Sequence, residues 1–135
     1  MPVLGTGATE RSDQTFIRAI EIWVPCKNRR RLELGAGLYG PLSEFETASH
    51  AISFGFDEGL PGKAWAAGHP IVLKNLTGSY FKRGEVAQAA GLTCGVALPI
   101  FAGSFLLAVI VLFCGDDRNH VGAIELWHTP LGSNE

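Results

Sequence analysis

Chemistry in this chain would have to start from three cysteines (Cys26, Cys94, Cys114), four histidines (His50, His69, His120, His128) and the cations Lys27, Arg29, Arg30 and Arg31. A zinc site needs thiolates and imidazoles at short fixed spacings, and no CxxC, HxH or HExxH occurs, so no metal is expected. A reactive thiol needs a neighbouring base or cation to lower its pKa. Cys94 and Cys114 instead sit in apolar runs, where burial raises it, and they read as small core residues. A single histidine can ligate heme iron, and His50 and His69 would be the first to test, but a surface or capping role is the commoner use. The cations form one cluster without interleaved aromatics, which reads as a solvated turn and not as a nucleic-acid surface.

The whole-chain numbers point the same way. Eleven Lys and Arg against thirteen Asp and Glu leave a formal charge of −2, too little field to gather nucleic acid or anionic lipid. At 135 residues, 47% of them hydrophobic and 18% charged, the chain suits one globular domain. The odd cysteine count and the lack of a leader-like opening suggest a reducing, cytoplasmic setting. Mean hydropathy is +0.19, raised by the stretch from Cys94 to Cys114, long enough to be weighed as a membrane span. Pro99 and the Ala102-Gly103-Ser104 break divide that stretch into two pieces rich in Val, Ile, Leu and Phe, which predicts a buried β-hairpin and no membrane partner.

The elements that would position any site follow from periodicity and punctuation. Residues 1–15 read as a lead-in with a short helix starting near Ser12 or Asp13. Ile20, Ile22 and Val24 alternate with Glu21 and Trp23, and Leu32, Leu34, Ala36 and Leu38 alternate with polar or small residues, predicting a hairpin turned at residues 27–30. Ser43-Glu44-Phe45-Glu46 has the form of a capping box opening a helix to about His50 or Ala51. Pro61 and Gly68 frame a second helix, Pro70 to Leu73 reads as a strand, and Gly91 closes an alanine-rich helix over Glu85 to Ala90. Val121 to His128 would be the last strand. The sum is an α+β fold, a central antiparallel sheet of about six strands with helices on its faces.

The segment from Gly59 to Pro70, Gly-Leu-Pro-Gly-Lys-Ala-Trp-Ala-Ala-Gly-His-Pro, resembles the GLPG-x-x-W-x-x-G-x-P signature of bacterial GAF domains. Asn75-Leu76, Phe81-Lys82-Arg83, Ala89-Ala90-Gly91-Leu92 and Val96 to Ile100 follow in the order of that family, and the resemblance spans residues 16–128, leaving 129–135 as a tail. Gly59, Leu60, Pro61, Gly62, Gly68 and Pro70 are assigned to the structural motif, with Trp65 as its large anchor. The resemblance implies a non-catalytic sensory or regulatory module in signal transduction, with a small-molecule pocket under a roof of residues 54–93. Phe54, Phe56, Trp65, Tyr80, Phe81, Val86, Ala89, Cys94 and Ala97 are its candidate lining. As a set they describe a mostly apolar site. The loop around Thr77 to Gly84 is the expected moving part.

Departures from the family's subgroups narrow the reading. The Cys-His dipeptide of bilin-binding GAF domains is absent, and so is the full pattern of the cyclic-nucleotide subgroup, so neither bilin nor cyclic nucleotide is expected as cofactor, and heme is not expected because its lone candidate histidines read as surface or capping residues. The free methionine sulfoxide reductases resemble GAF domains and work through several cysteines. Here Pro61 stands where that branch has a cysteine, and the later His-Ile-Ala-Cys-Asp element is missing. If Ile20, Ile22 and Val24 face the core, Trp23 and Trp127 face outward, which predicts a homodimer through these indoles, with a signalling protein or fused effector domain as the further partner. A ligand-free dimerisation scaffold is the alternative.

Overall fold

Alternating side chains over Ile17–Pro25 form strand β1, and a tight turn returns the chain as β2 (Arg31–Leu38). The turn is closed by backbone bonds from Cys26 N to Arg31 O and from Arg29 N to Cys26 O, with Asn28 Oδ1 accepting the Arg30 amide. The computed structural model describes residues 17–115. After β2 come helix α1 (Ser43–His50), the short strand β3 (Phe54–Gly55), α2 (Gly59–Ala67), β4 (Ile71–Leu73) and α3 (Gly84–Ala89). The apolar pair β5 (Leu92–Ala102) and β6 (Phe105–Gly115) completes the sheet. Strand order is β3-β2-β1-β6-β5-β4, every neighbour antiparallel, so the expected α+β architecture is present. The predicted helix near Ser12, the predicted strand at 121–128, Trp127, His120 and His128 lie outside the described residues.

The long apolar stretch is a hairpin, turned at Gly103 (φ 65°), with Ala102 opposite Phe105 and Pro99 opposite Val109. Among the described residues no helix is long and apolar enough to cross a membrane. The three helices of the described residues pack on one face of the sheet: Phe45 of α1 meets Phe113, and Leu60 of α2 lies over Gly95.

β1 faces the opposite way to the expectation. Trp23 and Glu21 are fully buried with Ala19, while Ile20, Ile22 and Val24 are half-buried on the second face beside Ile110 and Leu112. Both faces of this strand are largely apolar, so alternation alone does not choose between them. The large indole takes the core, and the carboxylate beside it is accommodated by hydrogen bonds. Trp23 is therefore not an exposed interface residue.

β2 departs too. A register shift between Ile22 and Trp23 inserts a bulge at Gly35, so Leu32 is buried and Leu34 half-buried whereas Ala36 and Leu38 are exposed. The capping box also fails: Leu42 is the N-cap and no side chain caps the helix. The Leu42 carbonyl already takes the Glu46 amide at 3.0 Å, which starts the helix one residue earlier than a Ser43 cap requires.

The Gly-Leu-Pro-Gly corner behaves as its residue types predict. Gly59 has φ 65°, Pro61 lies in the first turn where no amide is needed, and the first helical bond runs from Gly62 N to Glu58 O at 3.0 Å. Gly68 ends α2 in the left-handed region at φ 75°. A side chain at Gly62 would run into the Gly55 carbonyl, whereas one at Gly68 would meet open space. Gly62→Ala is accordingly expected to destabilise the fold by about 3 kcal/mol through overpacking. Gly68→Ala is expected to cost only about 1 kcal/mol of backbone strain. Urea unfolding at unchanged m-value reads both, and equal losses would contradict this packing.

Candidate functional site

The sheet and the helices meet at a buried guanidinium. Arg83, the N-cap residue of α3, is 5% exposed and directs Nη1 to Glu21 Oε2 at 2.7 Å and to Ser49 Oγ at 2.6 Å. Ser49 Oγ in turn donates to Phe45 O within α1. Glu21, at the centre of the sheet, also accepts from Tyr39 Oη at 2.8 Å on the same oxygen and from Trp23 Nε1 at 2.8 Å on the other. The rings of Phe45, Phe81, Trp23, Phe113 and Phe54 surround the Arg83 guanidinium with centroids 4.9 to 5.5 Å away. Their negative faces compensate part of the charge's lost hydration. Nε and Nη2 are buried with no acceptor among the described residues.

Beside this cluster lies a cavity of ≈ 670 Å³ between α1 and the roof. Ala48, Ala51 and Ile52 form its α1 side, and Thr77, Phe81, Lys82, Arg83, Val86 and Gln88 face them from the loop and α3. A smaller hollow of ≈ 200 Å³ runs under the start of α1 against Val86 and Ala89. The loop is built locally: Asn75 Oδ1 accepts the Thr77 amide, Ser79 Oγ donates to Leu76 O, and Leu76 N reaches Thr93 O on β5 at 3.1 Å. Its other anchor is Arg83.

The predicted lining residues divide among five places. Phe81 and Val86 line the larger cavity, and Val86 with Ala89 lines the smaller. Phe54 and Ala97 are sealed in the core. Phe56 and Trp65 form an edge-to-face pair at the surface, Phe56 being 60% exposed, and Tyr80 lies exposed under the Lys63 ammonium. Cys94 stands opposite Cys114 in the β5–β6 ladder, half-buried. Residue types alone did not point to Arg83, Glu21, Ser49 and Tyr39. The available signal was one acid inside a strand apolar but for Arg18 at its start, and an arginine directly after Phe81-Lys82.

His50 is exposed and 3.8 Å from Glu46, while His69 Nδ1 lies 3.0 Å from its neighbour Pro70 O; neither is among the residues lining the two cavities described above. Among the described residues no three His, Cys, Asp or Glu side chains cluster to hold a metal. The Cys114 thiol is pushed up, first by its hydrogen bond with Cys94 and then by burial, which disfavours a thiolate there. Glu58 is held below the usual carboxylate range by the Gly55 amide, and Arg31 and Lys82 draw it further down. Its Oε1 accepts Gly55 N at 2.7 Å and Arg31 Nη2 at 3.1 Å, which clamps the corner that starts α2.

No protein-family model matches the chain, and no curated protein matches it. Solved structures do. The GAF domain of A. aeolicus NLH2 in an inactive state superposes with TM-score 0.57 at 23% identity, over 82% of this chain and 65% of that one. Free methionine-R-sulfoxide reductase of Neisseria meningitidis, in complex with its substrate, gives 0.57 at 13% identity, over 87% and 66%. The NreA protein of Staphylococcus aureus, mutated in its nitrate binding site, gives 0.56 at 16% identity, over 81% and 79%. The fold of this chain is the GAF fold.

Burial pushes the Tyr39 hydroxyl well above the usual tyrosine range, and the adjacent Glu21 carboxylate pushes the same way. Above about pH 10 the unfolded chain releases this proton while the folded chain keeps it. The contribution is therefore complete below that pH and is lost as pH rises past it. Tyr39→Phe is expected to cost about 2 kcal/mol near neutrality and to reduce the loss of stability at alkaline pH. Urea unfolding near neutrality and at about pH 11 tests this, and an unchanged alkaline slope would contradict it.

Proposed function

We propose that this chain is a sensory or regulatory domain without catalysis, binding a small molecule between α1 and the 74–83 roof and passing occupancy to a protein partner. The cavity against Arg83 carries the reading: ≈ 670 Å³ suits a small ligand, and its lining mixes apolar side chains with a buried cation. The GAF-fold neighbours support it, one described with a substrate bound and one with a nitrate site. Against a reductase role stand Pro61 in place of a cysteine and a Cys114 thiol disfavoured as thiolate.

Signalling by this arrangement is a population shift: the ligand binds one placement of the roof better than another. A homodimer remains part of the proposal, with its interface moved from Trp23 to the second sheet face, where Ile20, Ile22, Ile110 and Leu112 are half-buried. A cytoplasmic setting and a signalling or effector partner belong to the same reading. One observation favours the ligand-free scaffold instead: Phe54 and Ala97, expected to line the site, close the core.

Thermal melting against a metabolite panel, followed by sedimentation velocity, separates the two. At least one compound is expected to raise the Tm and shift the monomer–dimer balance. A panel-wide unchanged Tm with a tight dimer would overturn ligand sensing in favour of the scaffold.

A further inference from the structure

Cys94 and Cys114 are two sulfurs for which the proposed function has no use. They stand directly opposite each other on the neighbouring antiparallel strands β5 and β6, and their side chains are joined by a hydrogen bond. Both are half-buried, so neither is sealed from a small reagent. We propose that this pair is an oxidative modification site, closing to a cross-strand disulfide within one chain by exchange with a low-molecular-weight disulfide. The inference goes beyond ligand sensing and does not rest on it. Gly95 and Phe113, the next residues along each strand, face Leu60 and Phe45 of the helices, which puts the two sulfurs on the other face of the sheet.

Directly opposed residues of an antiparallel pair have Cα atoms about 4.5 or 5.5 Å apart, according to the hydrogen-bonding pattern. Both separations fall within the roughly 4.4–6.8 Å that a disulfide spans, and the Cβ atoms, about 4.5–5.5 Å apart, have to approach by ~1 Å at most. The ladder is already interrupted between Leu92 and Cys94, so that approach disturbs little strand hydrogen bonding. Next to the pair the two strands are held close, since Gly115 lies so near the backbone of Gly91 that it has no room for a Cβ. Cys26 does not compete. Ile17, at the near end of β1, is opposite Cys114, and Cys26 follows the far end of that strand, more than about 25 Å away at ~3.3 Å per residue.

The step balances with a single oxidant. One thiolate of the pair attacks the external disulfide, forming a mixed disulfide and expelling one external thiolate. The second protein sulfur attacks the first, the protein S–S bond forms, and the other external thiolate leaves. Two electrons pass to the oxidant, and the two protons of the protein thiols end on the two released thiols. Cys114 is disfavoured as a thiolate by its hydrogen bond with Cys94 and by burial, so Cys94 makes the first attack and Cys114 resolves the mixed disulfide. The need to deprotonate Cys114 slows the closure near neutrality, and the bond records a sustained oxidising state more than a brief one.

The test equilibrates the full chain with reduced and oxidised glutathione at about pH 8, with and without concentrated urea, followed by acid quench, alkylation and tryptic digestion. No Lys or Arg lies between Arg83 and Arg118, so both sulfurs fall on one peptide, residues 84–118. Once bridged, that peptide takes up no alkyl label and is about 2 Da lighter than its reduced form, the mass of the two hydrogens lost. The native chain is expected to favour the bridge over the urea-unfolded chain by about tenfold or more, because the ladder already holds together two residues that the unfolded chain must bring into contact. Cys26 is expected to stay alkylated. Cys94→Ser and Cys114→Ser should each abolish the bridge, and Cys26→Ser should keep it; if either of the first two fails to fold, the wild-type comparison is decisive by itself. A bridge no more favourable in the native chain than in urea, glutathione retained on either cysteine without closure, or chains joined to one another through these sulfurs would overturn the proposal. Each of those results leaves the ligand panel, and with it the sensory reading, untouched.

Discussion

A guanidinium and a carboxylate removed from water together set the constraint on which the rest of this structure depends. Arg83 and Glu21 are 62 positions apart, one at the edge of the roof and the other in a central strand. Removing one partner from such a buried pair typically costs about 3–5 kcal/mol, because the survivor is left charged without compensation. That is a large fraction of the roughly 5–15 kcal/mol by which a domain exceeds its unfolded state. The roof therefore cannot leave its seat without exposing or stranding this pair, and the aromatic faces around Arg83 reinforce the same position.

Several local features make sense only once the pair is in place. Tyr39 reaches Glu21 by laying its ring across Gly37, where any Cβ would collide with it, so the glycine is required by close approach and not by backbone angle. The bulge at Gly35 re-aims the end of β2 so that Gly37 lies opposite Glu21. Ser49, buried in α1, donates to the carbonyl one turn before it and accepts from Arg83, so the helix is fastened to the roof by a hydroxyl. The loop from β4 to α3 is held at Leu76 by the backbone of β5 and at Arg83 by the cluster, and between them Phe81 is buried against Phe113.

The elements and their order were legible in the sequence, because turns and helix ends were marked by strong punctuation: the cationic turn after Pro25, Pro61 and Gly68 around α2, Gly91 and Gly103. The facing of β1 was not, since Ala19-Glu21-Trp23 and Ile20-Ile22-Val24 are both plausible core sets. The choice is made by partners remote in sequence. A glutamate reads as solvent-facing until Arg83, Tyr39 and Trp23 are known to converge on it. The same limit explains the candidate site. Phe81 and Val86 were found because they flank the roof, while the α1 wall and the Arg83 cluster depend on how α1 docks, which no local pattern records.

Amide hydrogen exchange in Glu21→Gln tests the central claim most directly. If the buried pair seats the roof, residues 76–90 should lose protection by several orders of magnitude while the β5–β6 hairpin stays close to wild type. Protection falling equally throughout the sheet, or unchanged in the roof, would show that the roof is held by something other than this pair.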